Sequence, residues 1–483
     1  MQADRMNLPR IIVAALRGGS GKTILSLGII AALQQKGFRV APFKKGPDYI
    51  DAGWLALAAG RPCYNLDSYL LSPDCILNSF RAHYQPGDIA VIEGNRGLFD
   101  GIDLEGSTST AELAKLLRAP VFLCVDCTKT TRTMAAVISG CREFDPAVPL
   151  EGIILNRVAG PRHESILRNS IEHFCGLPVL GAVPRLGRQI FPERHMGLVP
   201  TPEHDWAVDS ITEIGRTAAN YLNLDQIVDI AGTAPPMPAL DQDDGDSGTC
   251  LNVLESPRAE EGASQRQRPP RIGILRDSAF QFYYLENLEA LSAAGAELVE
   301  ASPLRHRRLP DLDALYIGGG FPETHAAELA ANREFADHLK QAAEEGLPVY
   351  AECGGLMYLG QELVLEETAY PMAGVLPVVF GFYKRPQGHG YVKAAVEKEN
   401  PYYPVGSEIR GHEFHYSRVI RWTGDRSELV FRMQRGVGIT EDRDGIVYKN
   451  VLATYIHIHA LGMPAWATAL VKNATLHRSR KTS

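Results

Sequence analysis

The stretch IIVAALRGGSGKT, residues 11–23, decides the fold of the N-terminal part of this chain. The apolar run Ile11–Leu16 predicts a buried strand, and residues 24–35 predict a helix that ends before Gly37. Glycines between them let backbone N–H groups turn toward a phosphate without Cβ clashes, and the helix N-terminus adds positive charge. The stretch therefore predicts a nucleotide-binding phosphate loop that opens a parallel α/β sheet.

The loop supplies a consecutive set of nucleotide contacts. Lys22 is expected to reach the terminal phosphates, and the Thr23 hydroxyl is expected to bind Mg²⁺. The alternative is a glycine-rich turn with a chance Gly-Lys-Thr, which the flanking strand and helix disfavour. The predicted ATP-binding residues of the loop are Arg17, Gly18, Gly19, Ser20, Gly21, Lys22 and Thr23.

Two acidic segments follow later predicted strands. They are KKGPDYID, residues 44–51, and VIEGNRGLFDG, residues 91–101. Ligands of open α/β sheets bind at the carboxyl ends of the strands, so both segments should share an edge with the phosphate loop. Carboxylates there suit Mg²⁺, which prefers oxygen ligands. The alternative is that these acids cap helices and turns.

Further apolar runs extend the first domain, predicted over residues 8–224. The expected strands are Phe38–Pro42, Ile89–Ile92, Val121–Val125, Gly152–Leu155 and Val179–Val183. Residues 231–270 are rich in Pro, Gly, Ser and acidic side chains and predict an exposed linker. A second α/β pattern then predicts another domain over residues 271–475.

Composition excludes some classes of partner. The formal net charge of −8 argues against a nucleic-acid partner, and no apolar run is long enough to span a membrane. The cysteines are scattered, which favours a reduced, cytoplasmic protein over a disulfide framework. The single CxxC of Cys124 and Cys127 is typical of a structural pair more than a metal site. Oligomeric state is left open, a homodimer included.

Cys353 lies in a context that differs from that of a structural cysteine. In VYAECGGLM, residues 349–357, a strand runs into a tight glycine turn at this cysteine. Such an elbow exposes a nucleophile and frees backbone N–H groups for an oxyanion. His457 and His459 follow a late strand and are candidate bases. The predicted oxyanion donors are Gly319, Gly320 and Gly354.

Taken together, these motifs give a specific resemblance, which spans nearly the whole chain apart from the linker. The sequence resembles the cobyrinate (or hydrogenobyrinate) a,c-diamide synthases. The resemblance implies an α/β protein with an N-terminal P-loop, parallel-sheet ATPase domain like dethiobiotin synthetase and a C-terminal class I glutamine amidotransferase α/β domain. Its motifs are the phosphate loop, GPDYID at 46–51, EG at 93–94 with GLFDG at 97–101, DSAF at 277–280, GGGFPE at 318–323, ECGGL at 352–356, GHEFHYS at 411–417 and YIH at 455–457.

The resemblance also implies roles for individual residues. Cys353 is the expected glutaminase nucleophile and His457 its general base; the glutamate that usually completes such a triad is not found after His457. Asn156 is expected to contact the adenine. The expected metal ligands are Thr23, Asp48 and Glu93, and the expected substrate-binding residues are Tyr49, Ile50, Asp51 and Asp100.

The implied activity consumes ATP and L-glutamine as co-substrates, with Mg²⁺. It amidates the a and c acetates of cobyrinate or hydrogenobyrinate through an acyl phosphate. Asn95-Arg96 and the segment 388–391 depart from many family members, so a sirohydrochlorin- or sirohaem-type acid stays open as substrate. Arg96 is either a partner for an extra substrate carboxylate or a solvated residue. A cobyric acid synthase, which amidates other side chains, is a closer rival, and a MinD-like partner-switching ATPase is a distant one.

Overall fold

The computed structural model describes residues 8–185, 193–194, 197–198, 206–238, 268–425, 428–440 and 442–482. The chain divides into two compact units, Met1–Asp243 and Asp244–Ser483. Among the described residues, no helix combines the length and the apolar character needed to cross a membrane.

The N-terminal unit alternates strands and helices. Its strands are β1 Arg10–Ala15, β2 Arg39–Lys45, β3 Tyr64–Leu66, β4 Asp88–Glu93, β5 Val121–Asp126, β6 Leu150–Val158, β7 Val179–Pro184, β8 Glu193–Arg194 and β9 Gly197–Leu198. Its helices are α1 Lys22–Gln35, α2 Tyr49–Ala59, α3 Pro73–Ala82, α4 Thr110–Leu117, α5 Thr133–Phe144, α6 Pro161–Cys175, α7 Ala207–Tyr221 and α8 Leu224–Gly232.

Seven strands form one sheet in the order β3-β2-β4-β1-β5-β6-β7. All of its pairings are parallel. Every residue of β1 is buried, as expected for a central strand covered on both faces. The first strand of the chain therefore lies in the middle of the sheet, and the loop after it opens at the sheet's carboxyl edge.

The predicted parallel α/β fold of this unit is confirmed. All five later runs form strands, and α1 begins at Lys22. The sequence missed β3, whose three residues Tyr64–Leu66 are too short for a periodic pattern. Glu93 consequently ends the fourth strand and not the third.

The start of the predicted linker is packed. Ala231 belongs to α8 and is fully buried. The buried Arg10 side chain donates through Nε to Leu117 O at 2.7 Å, and its guanidinium also donates to Pro235 O. These bonds attach the segment after α8 to the first strand. The rest of the predicted linker, residues 239–267, lies outside the described residues.

The C-terminal unit is a mixed α/β structure. Its strands are β10 Arg271–Leu275, β11 Glu297–Ala301, β12 Ala314–Ile317, β13 Val349–Glu352, β14 Glu362–Leu365, β15 Thr368–Pro371, β16 Val378–Phe382, β17 Gly388–Val396, β18 Glu408–His415, β19 Ser417–Trp422, β20 Leu429–Arg435, β21 Arg443–Tyr448, β22 Val451–Thr454 and β23 His457–Ile458. Its helices are α9 Leu285–Ala293, α10 Ala326–Ala331, α11 Arg333–Glu344, α12 Gly354–Leu359 and α13 Pro464–Thr482, with a 3₁₀ turn at Pro322–His325. Helix α13 runs past residue 475, where the sequence analysis ended the domain.

The main sheet of this unit has ten strands in the order β11-β10-β12-β13-β22-β21-β20-β17-β18-β23. The first five are parallel and the others antiparallel. Alternate residues of β12 pack into two separate hydrophobic cores. Leu315 and Ile317 belong to one core, and Tyr316 belongs to the other. Both faces of the central strands are thus covered, which leaves their carboxyl ends as the accessible edge.

Cysteine chemistry in the described chain is mostly that of buried thiols. Cys124, Cys127, Cys141, Cys175 and Cys353 carry free thiols. Burial raises the pKa of Cys124 and of Cys127 to about 12, so both members of the CxxC remain protonated packing residues.

Candidate active sites

The phosphate loop is shaped by two glycines with left-handed backbone. Gly19 has φ 73° and Gly21 has φ 94°. A Cβ at Gly21 would lie 2.3 Å from Asn156 Nδ2, and that amide donates to Ser20 O at 2.8 Å. Only glycine fits this position. Asn156, at the end of β6, thereby holds the loop's backbone.

Lys22 reaches back over the loop. Its Nζ donates to Arg96 O at 3.0 Å, and the side chain is buried. Burial lowers the pKa of Lys22, and the neighbouring Lys44 ammonium lowers it further. Arg96 itself has φ 50°, so its carbonyl is presented by a strained turn after β4. The lysine predicted for phosphate and the segment 91–101 are therefore in direct contact.

The Thr23 hydroxyl lies among acids. Its Oγ1 is 2.7 Å from Glu93 Oε1 and 3.3 Å from Asp51 Oδ2. The first contact follows from the sheet, because β1 and β4 are adjacent and Val13 is the register partner of Glu93. The two acidic segments and the phosphate loop share one edge, as the parallel topology requires.

Lys44 is the residue of this cluster for which no role was predicted. Its buried Nζ lies 3.0 Å from Asp51 Oδ2 and 3.1 Å from Glu93 Oε1. Burial opposes the charge, but the two carboxylates outweigh it and raise the pKa of Lys44. Two consecutive lysines at the end of a strand with an apolar centre were the available signal, since lysines are almost never buried unpaired.

Asp48 and Asp51 make different contacts. Asp48 caps α2, its Oδ1 accepting from Asp51 N at 2.9 Å, and its Oδ2 is 4.0 Å from Lys44 Nζ. Burial, with the Asp51 charge, raises the pKa of Asp48 to about 7. Burial also acts on Asp51, but Lys44 outweighs it and lowers the pKa of Asp51. Asp51 is therefore the acid of this pair that lies nearer Thr23 and is bonded to Lys44.

The other predicted residues of this unit make contacts of their own. Tyr49 and Ile50 begin α2, and Ile50 is buried. Asp100 Oδ2 accepts from Gly97 N at 2.8 Å, which shapes the loop after β4. Arg17 is exposed, with its guanidinium 3.7 Å from Asp126 Oδ2. Gly18 has open space around its Cα.

Lys45 is a second lysine without a predicted role. It is buried, and among the described residues no carboxylate lies within ion-pair distance of it. Burial lowers the pKa of Lys45 to about 8, with Asp67 opposing. A buried ammonium of this kind favours a bound anionic group.

The donors around Thr23 suit a hard cation. Glu93 Oε2 is buried and has no hydrogen-bond partner among the described residues. In that same part of the chain, no three His, Cys, Asp or Glu side chains form a ready metal cluster. Mg²⁺ commonly takes only one or two carboxylates and completes its shell with phosphates and water. The residues present fit such an ion when nucleotide is bound.

Cys353 sits at a strained elbow in the C-terminal unit. Its backbone has φ 47° and ψ −96°, between β13 and α12. Its N–H donates to Thr454 O at 2.7 Å, because β13 and β22 are paired. Strain of this kind, in a non-glycine residue, is typical of functional sites. The Sγ lies 3.9 Å from Phe414 O, in the GHEFHYS segment.

The thiol of Cys353 is the resting form. Burial raises its pKa, and the Glu323 and Glu352 carboxylates raise it further, while the Gly354 N–H opposes them. A thiolate forms here only when a base takes the proton. Cys353 therefore needs a neighbouring side chain that can accept the proton of its thiol.

Glycines bring three backbone segments together beside Cys353. A Cβ at Gly319 would lie 2.4 Å from His457 Cε1, and one at Gly354 would lie 3.0 Å from Gly320 N. A Cβ at Gly320 would lie 2.1 Å from Ala279 O. The predicted oxyanion donors are thus close to each other and to the predicted base.

Each candidate histidine is paired with a different carboxylate. His457 Nδ1 lies 3.6 Å from Glu352 Oε2, and His459 Nε2 lies 3.5 Å from Glu286 Oε1. All four side chains are buried. Because Gly319 lies against His457, this histidine is the one at the glycine loop. Glu352 was quoted in a motif, but its pairing with His457 was not predicted.

A phosphate loop in one unit and a nucleophile elbow in the other define an ATP-dependent glutamine amidotransferase. The family model for the CobQ/CobB/MinD/ParA nucleotide binding domain matches residues 11–198. That for the CobB/CobQ-like glutamine amidotransferase domain matches residues 271–465.

Curated relatives match nearly the whole chain. Cobyrinate a,c-diamide synthase of Magnetococcus marinus is 45% identical over 96% of this chain and 97% of its own. Those of Archaeoglobus fulgidus and Listeria monocytogenes are 40% and 38% identical, over 97% and 93% of this chain and 98% and 96% of their own. The chain belongs to the cobyrinate a,c-diamide synthase family. It is a glutamine-dependent, amide-forming ligase with an ATP-binding domain.

Proposed function

We propose that this chain amidates the a and c acetate carboxylates of cobyrinate in cobalamin biosynthesis, using ATP and glutamine. The names of the relatives support the substrate. The observation that carries the chemistry is the Thr23–Glu93 contact of 2.7 Å at the mouth of the phosphate loop. This contact supports a single reaction site where the phosphate loop meets the acidic segment after β4.

In the N-terminal unit, a substrate carboxylate oxygen attacks the γ-phosphorus of ATP, and ADP leaves. The product is an acyl phosphate, a far better electrophile than the carboxylate. Ammonia then attacks the acyl carbon and phosphate leaves, which gives the amide. Lys22 and the loop's N–H groups stabilise the charge that develops on the phosphate oxygens.

A magnesium ion, when bound, neutralises phosphate charge and orients the γ-phosphate. We assign it to Thr23 and Glu93, with Asp51 as the nearer of the two aspartates. The sequence analysis preferred Asp48, but Asp51 Oδ2 is the oxygen 3.3 Å from the Thr23 hydroxyl. Lys44 would keep Asp51 and Glu93 in place between turnovers, because it is bonded to both.

In the C-terminal unit, the Cys353 thiol gives its proton to His457. The thiolate attacks the side-chain amide carbon of glutamine, and His457 returns the proton to the departing nitrogen. Ammonia departs, and a thioester between Cys353 and the glutamyl group remains. Water hydrolyses this thioester to glutamate and the free thiol. Gly319, Gly320 and Gly354 supply N–H groups for the oxyanion. The ammonia must reach the acyl phosphate unprotonated, since ammonium is not a nucleophile.

The decisive test is Cys353→Ser with two nitrogen sources. Synthesis from glutamine should be lost, whereas synthesis from ammonium salts should continue, because thiolate chemistry is confined to one unit. Cobyrinate, hydrogenobyrinate and sirohydrochlorin are offered in parallel, and mass spectrometry counts the amides added. The proposal fails if the folded variant also loses ammonium-driven synthesis, or if cobyrinate and hydrogenobyrinate gain no amide.

A further inference from the structure

The carboxylate beside His457 comes from an unusual place in the chain. Glu352 directly precedes the nucleophile, and its Oε2 lies 3.6 Å from His457 Nδ1. Two positions after His457 stands His459. The pair is fully inside the protein, with 1% of the Glu352 side chain and 2% of the His457 side chain exposed.

Glu352 is held by donors from two neighbouring elements. Its Oε2 accepts from the Tyr316 hydroxyl at 3.0 Å, and its Oε1 accepts from Ile458 N at 3.2 Å. Tyr316 lies on β12, and Ile458 follows the histidine itself on β23. Both carboxylate oxygens are therefore fixed by groups that do not neutralise the charge. A buried carboxylate with only neutral donors is well placed to stabilise a cation.

We propose that Glu352 is the positioning residue of the glutaminase, orienting His457 and stabilising its imidazolium when Cys353 gives up a proton. This inference rests on the proposed roles of Cys353 and His457. It gives the residue before the nucleophile the task that a glutamate after the histidine performs in the usual triad. Glu352 touches neither glutamine nor the sulfur in this role; it acts through the histidine.

The distance sets how Glu352 works. At 3.6 Å the contact with His457 is an ion-pair separation and longer than a hydrogen bond. The interaction is therefore weak while the imidazole is neutral and strengthens as soon as the proton arrives, because the site is screened from water. The chemical step moves one proton from Cys353 Sγ to the imidazole and later to the leaving ammonia; no proton passes to Glu352.

Two other titratable groups near His457, His412 and Tyr316, carry no negative charge that could stabilise the imidazolium. His412, on β18, stacks on the ring with centroids 4.8 Å apart. Burial and His457 itself lower the pKa of His412 far below its usual value, so it is neutral. Tyr284 Oη lies 3.3 Å from His412 Nδ1, behind the stacked pair. Tyr316 contacts Glu352 and is likewise neutral, since burial raises its pKa.

The His459–Glu286 pair provides a matched control. Its separation of 3.5 Å and complete burial resemble those of the His457–Glu352 pair. His459 Nδ1 accepts from Leu461 N at 3.3 Å, so its Nε2 carries the proton toward Glu286. Glu286 lies on α9 and has no part in the proposed reaction. Among the described residues neither carboxylate oxygen of Glu286 has a hydrogen-bond partner, so Glu286→Gln controls for the loss of a buried charge beside a histidine.

The experiment compares Glu352→Gln with Glu286→Gln in the full chain. For Glu352→Gln, kcat for glutamine hydrolysis should fall about 100-fold, the lower part of the range for acid–base groups. The acid limb of its kcat/KM profile should move to lower pH, because the imidazolium has lost its counter-ion. Glu286→Gln should keep the wild-type profile. Circular dichroism and thermal unfolding check that both variants fold.

Alkylation of Cys353 by iodoacetamide gives a readout that a structural role would not move. If Glu352 stabilises the imidazolium, Glu352→Gln alkylates more slowly than wild type at neutral pH. If Glu352 acts only as a negative charge on the thiol, the variant alkylates faster, and the inference is overturned. Tyr316→Phe keeps the carboxylate but removes one donor to it, so it should show a smaller loss in the same direction.

Failure of this inference is separable from failure of the proposed function. Equal losses in Glu352→Gln and Glu286→Gln, or an unchanged rate and profile in Glu352→Gln, overturn the role of Glu352 alone. Cys353→Ser is assayed beside them for glutamine hydrolysis. If that variant still hydrolyses glutamine, the site itself is misassigned.

Discussion

Thr23 Oγ1 lies 2.7 Å from Glu93 Oε1, and this contact joins the first helix of the chain to the end of β4. Strand order produces it, since β4 lies directly beside β1 in the sheet. Glu93 is also the register partner of Lys44 on β2. The phosphate loop and the acidic segment after β4 are consequently held together. We expect changes to either one to affect the same chemical step.

Lys22→Ala should abolish amide synthesis with glutamine and with ammonium, by at least about 100-fold, because an electrostatic donor to the phosphates is lost. Glutamine hydrolysis should persist, since Cys353 is in the other unit. Amide formation and glutamate release are measured separately. Lys36→Ala, at the exposed end of α1, is the control and should behave like wild type. Normal synthesis by Lys22→Ala would remove the phosphate-loop assignment.

Asp51→Asn should impair synthesis more than Asp48→Asn does. Asp51 lies next to Thr23 and is bonded to Lys44, whereas Asp48 chiefly caps α2, and asparagine caps a helix as well as aspartate does. The measurement is the Mg²⁺ concentration needed for half-maximal synthesis at fixed ATP. It should rise strongly for Asp51→Asn and modestly for Asp48→Asn. The reverse ranking would return the ligand role to Asp48.

Tyr49→Ala and Ile50→Ala should change how the two acetates are ranked while the KM for ATP changes little. Neither side chain carries a charge that could bind Mg²⁺ or phosphate, so any part they play in substrate binding is contact with the macrocycle or its substituents. Loss of such contacts typically costs about 1–3 kcal/mol of discrimination, or roughly 10–200-fold. Chromatography with mass spectrometry follows monoamide and diamide over time. A wild-type time course in both variants would show that this loop does not read the macrocycle.

Asp444→Asn should become more stable relative to wild type as the pH rises. Burial raises the pKa of Asp444 to about 7 from 3.8, so the folded wild type holds a proton that the unfolded chain releases. Its contribution to stability is complete below pH 3.8 and is lost as the pH rises through about 7. The full slope is about 1.4 kcal/mol per pH unit. Thermal unfolding of both proteins at pH 5 and pH 8 checks this; an unchanged difference in melting temperature would contradict it.

Much of the architecture was readable because its signals are local. A strand, a glycine loop and a helix occupy one short stretch, and Cys353 lies in an elbow whose glycines are its own neighbours. Periodicity also found β2, β4, β5, β6 and β7. The antiparallel strands β17 to β21 were missed, since half-exposed strands alternate polar and apolar residues and resemble loops in composition.

The sequence by itself determined the two α/β units, the glycine loop after β1, the cysteine elbow after β13 and the sheet edge at which the acids gather. Tertiary structure decided which side chains meet there. Lys44 between two carboxylates, Asp51 beside Thr23, and Glu352 beside His457 all depend on strand order and register. These contacts join residues far apart in the chain, and the free energy that fixes them comes from core packing on both sheet faces, which no local motif encodes.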